Sequence, residues 1–162
     1  MMPREIEHKF LVRSELLPRP LPRGKRLIQG YLSVQPVVRV RIAVRHGGGA
    51  AGRKAAAFLT IKGPGLRERD EYEYAIPVNH ARRLLRLCGP RTLTKIRRLY
   101  GGWEVDEFQG RHRGLWLAEY ELASRRARLP RLPAWVGREV TGDRRYGNAW
   151  LASSAALPPC SP

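Results

Sequence analysis

The chain has 162 residues, 43% of them hydrophobic, which is enough for one domain with a buried core and too few for two. Its 31 Lys and Arg against 14 Asp and Glu give a net charge of +17, which disfavours cationic partners and favours polyanions such as phosphate chains, nucleic acid or an anionic surface. Only Lys9, Lys25, Lys54, Lys62 and Lys95 are lysines, so the excess is nearly all arginine, and a coding bias accounts for it as well as a partner does.

The two cysteines, Cys88 and Cys160, match no metal-binding spacing. Arg4, Glu5, Glu7 and Lys9 leave no apolar signal core, and no apolar run approaches the roughly 20 residues that span a bilayer. The expectation is a cytoplasmic protein with no membrane partner.

In chain order, short segments with two-residue alternation recur between Gly, Pro and polar clusters, the pattern of a mainly antiparallel β protein. Strands are predicted at Glu5–Val12, Leu27–Ser33, Val37–Val44, Phe58–Lys62, Arg69–Ile76, Leu93–Tyr100, Gly102–Phe108 and Gly114–Leu122. Eight strands suit a small closed barrel. Leu16–Gly24, with three prolines, reads as loop, and the Gly/Ala-rich stretch His46–Ala57 is longer than a simple hairpin needs. After Pro77, residues Val78, Ala81, Leu84, Leu85 and Cys88 follow a helical period that stops at Gly89-Pro90. A second helix is predicted from about Tyr146 to Ala156. The expected architecture is mainly β (α+β): one domain over residues 1–156 with flanking helices, and a flexible tail over 157–162.

Residues two apart on a strand share a face. Glu5, Glu7 and Lys9 lie opposite Ile6, Phe10 and Val12; Arg39 and Arg41 lie opposite Val38, Val40 and Ile42; Thr60 and Lys62 lie opposite Leu59 and Ile61. Arg69, Glu71 and Glu73 form another charged face, as do Lys95 with Arg97, Glu104 with Asp106, and Glu119 with Glu121. A solvated sheet face explains any one of these strands. It explains the set less well, because like charges held side by side repel, and four of the pairs have a single sign. Carboxylate pairs invite a hard divalent cation, Mg²⁺ or Mn²⁺, and Lys/Arg pairs invite a phosphate chain. With the charged faces turned inward, the barrel becomes a polar tunnel whose apolar outer faces need cover from helices or a neighbouring chain, so a homodimer is compatible with the pattern.

Glu5-Ile6-Glu7-His8-Lys9 resembles the Glu-x-Glu-x-Lys signature of the CYTH, or triphosphate tunnel metalloenzyme, superfamily. The similarity continues through Gln29-Gly30-Tyr31-Leu32, Arg39-x-Arg41, Leu59-Thr60-Ile61-Lys62-Gly63, Arg69-Asp70-Glu71-Tyr72-Glu73, Lys95-x-Arg97, Glu104-x-Asp106-x-Phe108, Glu119-Tyr120-Glu121 and Glu139-Val140-Thr141-Gly142-Asp143-x-Arg145-Tyr146-x-Asn148. The resemblance implies an eight-stranded antiparallel tunnel that binds a triphosphate. It implies metal binding at Glu5, Glu7, Asp106, Glu119 and Glu121. Phosphate contacts are implied at Lys9, Arg39, Arg41, Lys62, Arg69, Lys95, Arg97 and Arg145, with Glu71 and Glu73 orienting those cations or a second metal.

The expected reaction is hydrolysis of a triphosphate-containing small molecule, with inorganic tripolyphosphate giving pyrophosphate and phosphate. Thiamine or nucleoside triphosphate hydrolysis, a class IV-type adenylyl cyclase, and a non-catalytic polyphosphate- or RNA-binding module stay open as alternatives, nucleic acid being the least favoured partner. Because Arg supplies charge as well as Lys does, lysine at the lumen positions 9, 62 and 95 points to a proton that can leave. Lys95 beside Arg97, with Lys9 as its partner by resemblance, is expected to position and deprotonate the attacking water. His8 and the four tryptophans, Trp103, Trp116, Trp135 and Trp150, read as packing residues, and Arg125, Arg126 and Arg128 as a solvated cluster.

Overall fold

The computed structural model describes residues 4–45, 55–64 and 68–160, with the side chains of residues 4, 5 and 68 outside that description. Every segment with two-residue alternation forms a strand. These are β1 (Arg4–Val12), β2 (Lys25–Val34), β3 (Val37–Arg45), β4 (Ala55–Lys62), β5 (Glu68–Ala75), β6 (Thr92–Tyr100), β7 (Trp103–Phe108) and β8 (Trp116–Glu121). A ninth, β9 (Val136–Glu139), also forms. All pair antiparallel in the order β5-β4-β3-β2-β6-β7-β8-β1-β9, and β1 also returns to β5 through Arg4↔Asp70, Glu5↔Arg69 and Ile6↔Glu68. The fold is thus a nine-stranded antiparallel sheet with a short return contact, where an eight-stranded closed barrel is the expectation. The four residues Val-Gly-Arg-Glu of β9 have no alternation to betray them; they are strand because β1, after leaving β5, has a free edge to pair.

The concave face of the sheet changes chemistry along its length. At one end Leu11, Tyr31, Leu93, Phe108 and Leu117 pack with Leu151 and Ala152 of the C-terminal helix α2 (Asn148–Ser153). Beyond them the same face carries the charged residues. On the convex side, Val40, Ile42 and Ala57 pack under Ala81, Leu84 and Leu85 of α1 (Val78–Leu87). Phe10, Trp103, Val105 and Ala118 pack under Leu17, Leu129 and Trp135. The chain's own helix and loops therefore cover much of the apolar outer face, while Ile61 of β4 and Tyr74 of β5 stay exposed.

Gly30 explains why α1 can lie so close to β2. A Cβ there would stand 2.7 Å from Cys88 Sγ and 3.0 Å from Leu85 Cδ2. The α1 helix ends as expected, with Gly89 at φ 58°. Helix α2 is shorter than the expected Tyr146–Ala156, because Arg144–Tyr146 form a 3₁₀ turn and the backbone at Gly147 is extended. Of the expected tail, Pro158 is buried, Cys160 packs against the α2 core, and Tyr146 Oη donates to the Pro159 carbonyl at 2.6 Å. Of the stretch His46–Ala57, residues 55–57 begin β4 and residues 46–54 lie outside the described residues. Among the described residues no helix is long and apolar enough to cross a membrane.

Candidate active site

The charged part of the concave face bounds a cavity of about 1320 Å³. One wall is built by β3, β4 and β5, whose alternation turns Arg39, Arg41, Thr60, Lys62, Glu71 and Glu73 inward. Thr60 Oγ1 donates to Glu73 Oε2 at 2.9 Å and accepts from Arg39 Nη2 at 3.1 Å. Glu73 also holds Arg41 Nη2 at 3.0 and 3.1 Å, and Lys62 Nζ lies 2.7 Å from Glu71 Oε2. The Nε–H groups of Arg39 and Arg41 are buried without an acceptor among the described residues. Buried donors left over in a row of cations form a site for anionic oxygens.

The opposite wall comes from β1, β6, β7 and β8. Lys9 Nζ sits 3.2 Å from Glu7 and 3.0 Å from Glu119. Arg97 grips Asp106 through Nε and Nη2 at 2.7 Å each, contacts Glu119 at 2.6 Å and also pairs with Glu104. Lys95 pairs with Asp106 and reaches Asn148 Oδ1 of α2 at 3.3 Å. Burial alone would raise the Glu119 pKa, but Lys9 and Arg97 hold it well below the usual carboxylate range.

The two lysines paired in the sequence reading differ here. Burial opposes the charge on both, yet Glu119 and Glu7 override it at Lys9, whose pKa is raised. At Lys95 burial and then Arg97 outweigh Asp106, and the pKa is lowered. Lys9 is held charged, and Lys95 is the one that gives up a proton more readily.

Among the described residues no three His, Cys, Asp or Glu side chains gather as a ready metal site. The donor chemistry nonetheless fits a hard cation. Glu7, Glu104, Glu119 and Glu121 line one wall with Glu7 opposite Glu121 and Glu104 opposite Glu119 in the strand register. Lys9 and Arg97 now hold Glu119, so metal binding there has to displace those contacts.

No protein-family model matches the sequence. Over 159 residues, covering 94% of this chain and 96% of the relative, it is 38% identical to an inorganic triphosphatase of Acetivibrio thermocellus. The chain belongs to the CYTH-like triphosphatase family. A second relative, an inorganic triphosphatase of Nitrosomonas europaea, is 35% identical over 158 residues, covering 93% of this chain and 97% of the relative. The crystal structure of the inorganic triphosphatase NE1496 superposes with a TM-score of 0.59 at 32% identity, covering 93% of this chain and 95% of that one.

In this CYTH-like chain the fold brings Glu7, Lys9, Arg39, Arg41, Lys62, Arg69, Glu71, Glu73, Arg97, Glu119 and Glu121 to one cavity. Three expected residues are placed otherwise. Lys95 and Asp106 are buried behind the surface and meet it through Asn148 and Arg97. Arg145 points away, 52% exposed and paired with Asp143 at 2.7 Å, and its neighbour Arg144 lines the cavity instead. The irregular turn at Arg144–Tyr146 decides which of the two faces inward, and no periodicity predicts that. For Glu5 only the backbone, paired with Arg69, is described. Tyr31, Glu104, Thr141, Asn148 and Trp150 line the cavity and are absent from the expected site. Glu104 was within reach, since it shares its strand face with Asp106.

Proposed function

We propose that this triphosphatase-family chain hydrolyses inorganic tripolyphosphate to pyrophosphate and phosphate, with the sheet acting as a tunnel around the substrate. The observation that carries the reading is the pair Arg39 and Arg41, whose buried Nε donors lack an acceptor among the described residues, on a cavity whose other wall carries carboxylates. The names of both relatives support it. The free thiols Cys88 and Cys160 fit a reducing cytoplasm.

Hydrolysis breaks a terminal P–O–P bridge and forms a new P–O bond to water, and it needs positioning and charge neutralisation more than covalent help. Arg39, Arg41 and Lys62 exchange part of their contacts with Glu71 and Glu73 for phosphate oxygens, and Arg69 of the same cavity joins them. Lys9, kept protonated, stabilises charge that builds on the transferring phosphoryl group. Lys95 in its neutral amine form, reached by first losing its own proton, takes up the proton of the attacking water, with Asn148 as its link to the cavity. Glu7, Glu119 and Glu121, joined by Glu104 and by Glu5 on resemblance, would hold Mg²⁺ or Mn²⁺, which supplies charge neutralisation at the anhydride oxygens. Asp106 serves that wall from behind by fixing Lys95 and Arg97.

One observation favours an organic triphosphate as the second reading: the half-buried Trp150 lines the cavity next to the apolar α2 core, where a thiamine or nucleoside ring would find an aromatic neighbour. Turnover of tripolyphosphate, thiamine triphosphate, ATP and long-chain polyphosphate with Mg²⁺ and with Mn²⁺ tests the assignment. Tripolyphosphate is expected to give the highest kcat/KM, and phosphate release from none of the four would overturn the reading.

A further inference from the structure

Strand β1 changes neighbour in mid-course. Arg4–Ile6 pair with β5, whereas Phe10 and Val12 pair with β9, with a register shift between them. Lys9 falls at the changeover. Its carbonyl accepts from Val140 N–H at 2.8 Å, but its own N–H donates to a side chain, Thr141 Oγ1, at 2.9 Å. A regular ladder would offer a backbone carbonyl there.

The hydroxyl that replaces that carbonyl is itself held. Thr141 donates its proton to Glu139 Oε1 at 2.6 Å, which aims an oxygen lone pair at Lys9 N–H. The same Oε1 accepts from His8 Nδ1 at 2.8 Å, and His8 is 7% exposed and stacked on Phe10 with ring centroids 6.5 Å apart. The hydroxyl has a weaker second acceptor in the Lys9 carbonyl at 3.5 Å, and the 2.6 Å contact to Glu139 is the shorter of the two. Thr141 lies on the cavity wall, and the ammonium it serves is balanced between Glu7 and Glu119. A backbone displaced at Lys9 carries its Nζ out of that balance.

We infer that Thr141, backed by Glu139 and His8, is a positioning residue that sets where Lys9 meets the phosphoryl group. The inference rests on the triphosphatase reading for its kinetic consequence and on geometry alone for its structural one. Thr141→Val keeps the shape and removes the hydroxyl, while Thr141→Ser keeps the hydroxyl. With tripolyphosphate and Mg²⁺, Thr141→Val is expected to lower kcat about tenfold or more with KM nearly unchanged, because sub-ångström misplacement of a reacting group acts on the transition state. Thr141→Ser is expected to restore wild-type kcat.

The second readout needs no turnover: the rate of reductive methylation of Lys9, followed by peptide mass spectrometry, rises in Thr141→Val and not in Thr141→Ser. A lower melting temperature in Thr141→Val with unchanged kcat and unchanged Lys9 labelling makes the contact merely structural and overturns the inference. If the wild type hydrolyses no triphosphate yet labelling shifts as expected, positioning stands and the functional reading fails. Should Thr141→Val not fold, Glu139→Leu, which removes the acceptor of the hydroxyl proton, must move kcat and labelling in the same direction.

Discussion

Lys9 and Lys95 bring the same functional group to β1 and β6, which β7 and β8 separate, and their pKa values shift in opposite directions. Two carboxylates keep Lys9 charged, whereas burial and Arg97 loosen the proton on Lys95. Arginine cannot release a proton at any working pH. Lys95→Arg is therefore expected to lower kcat about a hundredfold, the scale of lost general-base catalysis, while tripolyphosphate binding measured by calorimetry is retained. Equal kcat in the variant would reduce Lys95 to a structural cation. Arg41 tests the other wall. Among the described residues its fork is held at Nη2 by Glu73, and its buried Nε has no acceptor. Arg41→Ala is expected to raise KM for tripolyphosphate about tenfold or more, as loss of a charge-assisted contact worth roughly 1.5–3 kcal/mol does. An unchanged KM would remove Arg41 from the substrate contacts. At this scale alternation told inward from outward for strand residues, but it could not tell Arg144 from Arg145, which lie in a turn.

The elements show where local pattern meets packing. Helix α1 rests on β2 through the missing side chain of Gly30, where a Cβ would meet Cys88 Sγ at 2.7 Å. Gly30→Ala is expected to destabilise the fold by about 1–3 kcal/mol through overpacking, read from urea unfolding. Shaving the opposing thiol in Gly30→Ala/Cys88→Ala should recover only part of that loss, because the Cβ of residue 88 still stands 2.9 Å from the added methyl, and additive losses would show that the two do not meet. The turn Gly110–His112 contributes a second test. His112 is fully buried and stacks edge-on to Phe108; burial, and then Arg111, push its pKa below the usual 6.5. A base whose folded pKa is depressed adds stability that is complete above about pH 6.5 and is lost as pH falls below it, because the unfolded chain takes the proton first. The melting temperature of the wild type should fall more between pH 7 and pH 5 than that of His112→Leu, and parallel slopes would refute the assignment. All eight predicted strands and α1 were legible because their signals are local. Strand β9 was not, since four residues become strand only where the edge of β1 is free.

The cations and carboxylates of the cavity pair with one another, so among the described residues the excess of positive charge lies outside it, at exposed residues such as Arg19, Arg82, Arg86 and Arg126. The internal pairs also mean that the fold does not depend on a metal to separate its carboxylates. Chelation is therefore expected to abolish tripolyphosphate turnover while the circular dichroism spectrum and melting temperature stay as they are, with Mg²⁺ or Mn²⁺ restoring activity. Full turnover in excess chelator would sink the metal proposal. By itself the sequence determined strands β1 to β8, their charged and apolar faces and the segregation of charge by sign, because each follows from residues two apart on one strand. Only the tertiary structure decided which charges meet: Arg39 with Glu73, Arg97 with Glu119, and Lys95 with Asn148 are 34, 22 and 53 residues apart. It also decided that Lys9 stays charged, that Arg145 leaves the site, and that a threonine from beyond β9 completes the hydrogen bonding of β1. Pairing partner, burial and the local field depend on strand order and register, and these are properties of the assembled sheet.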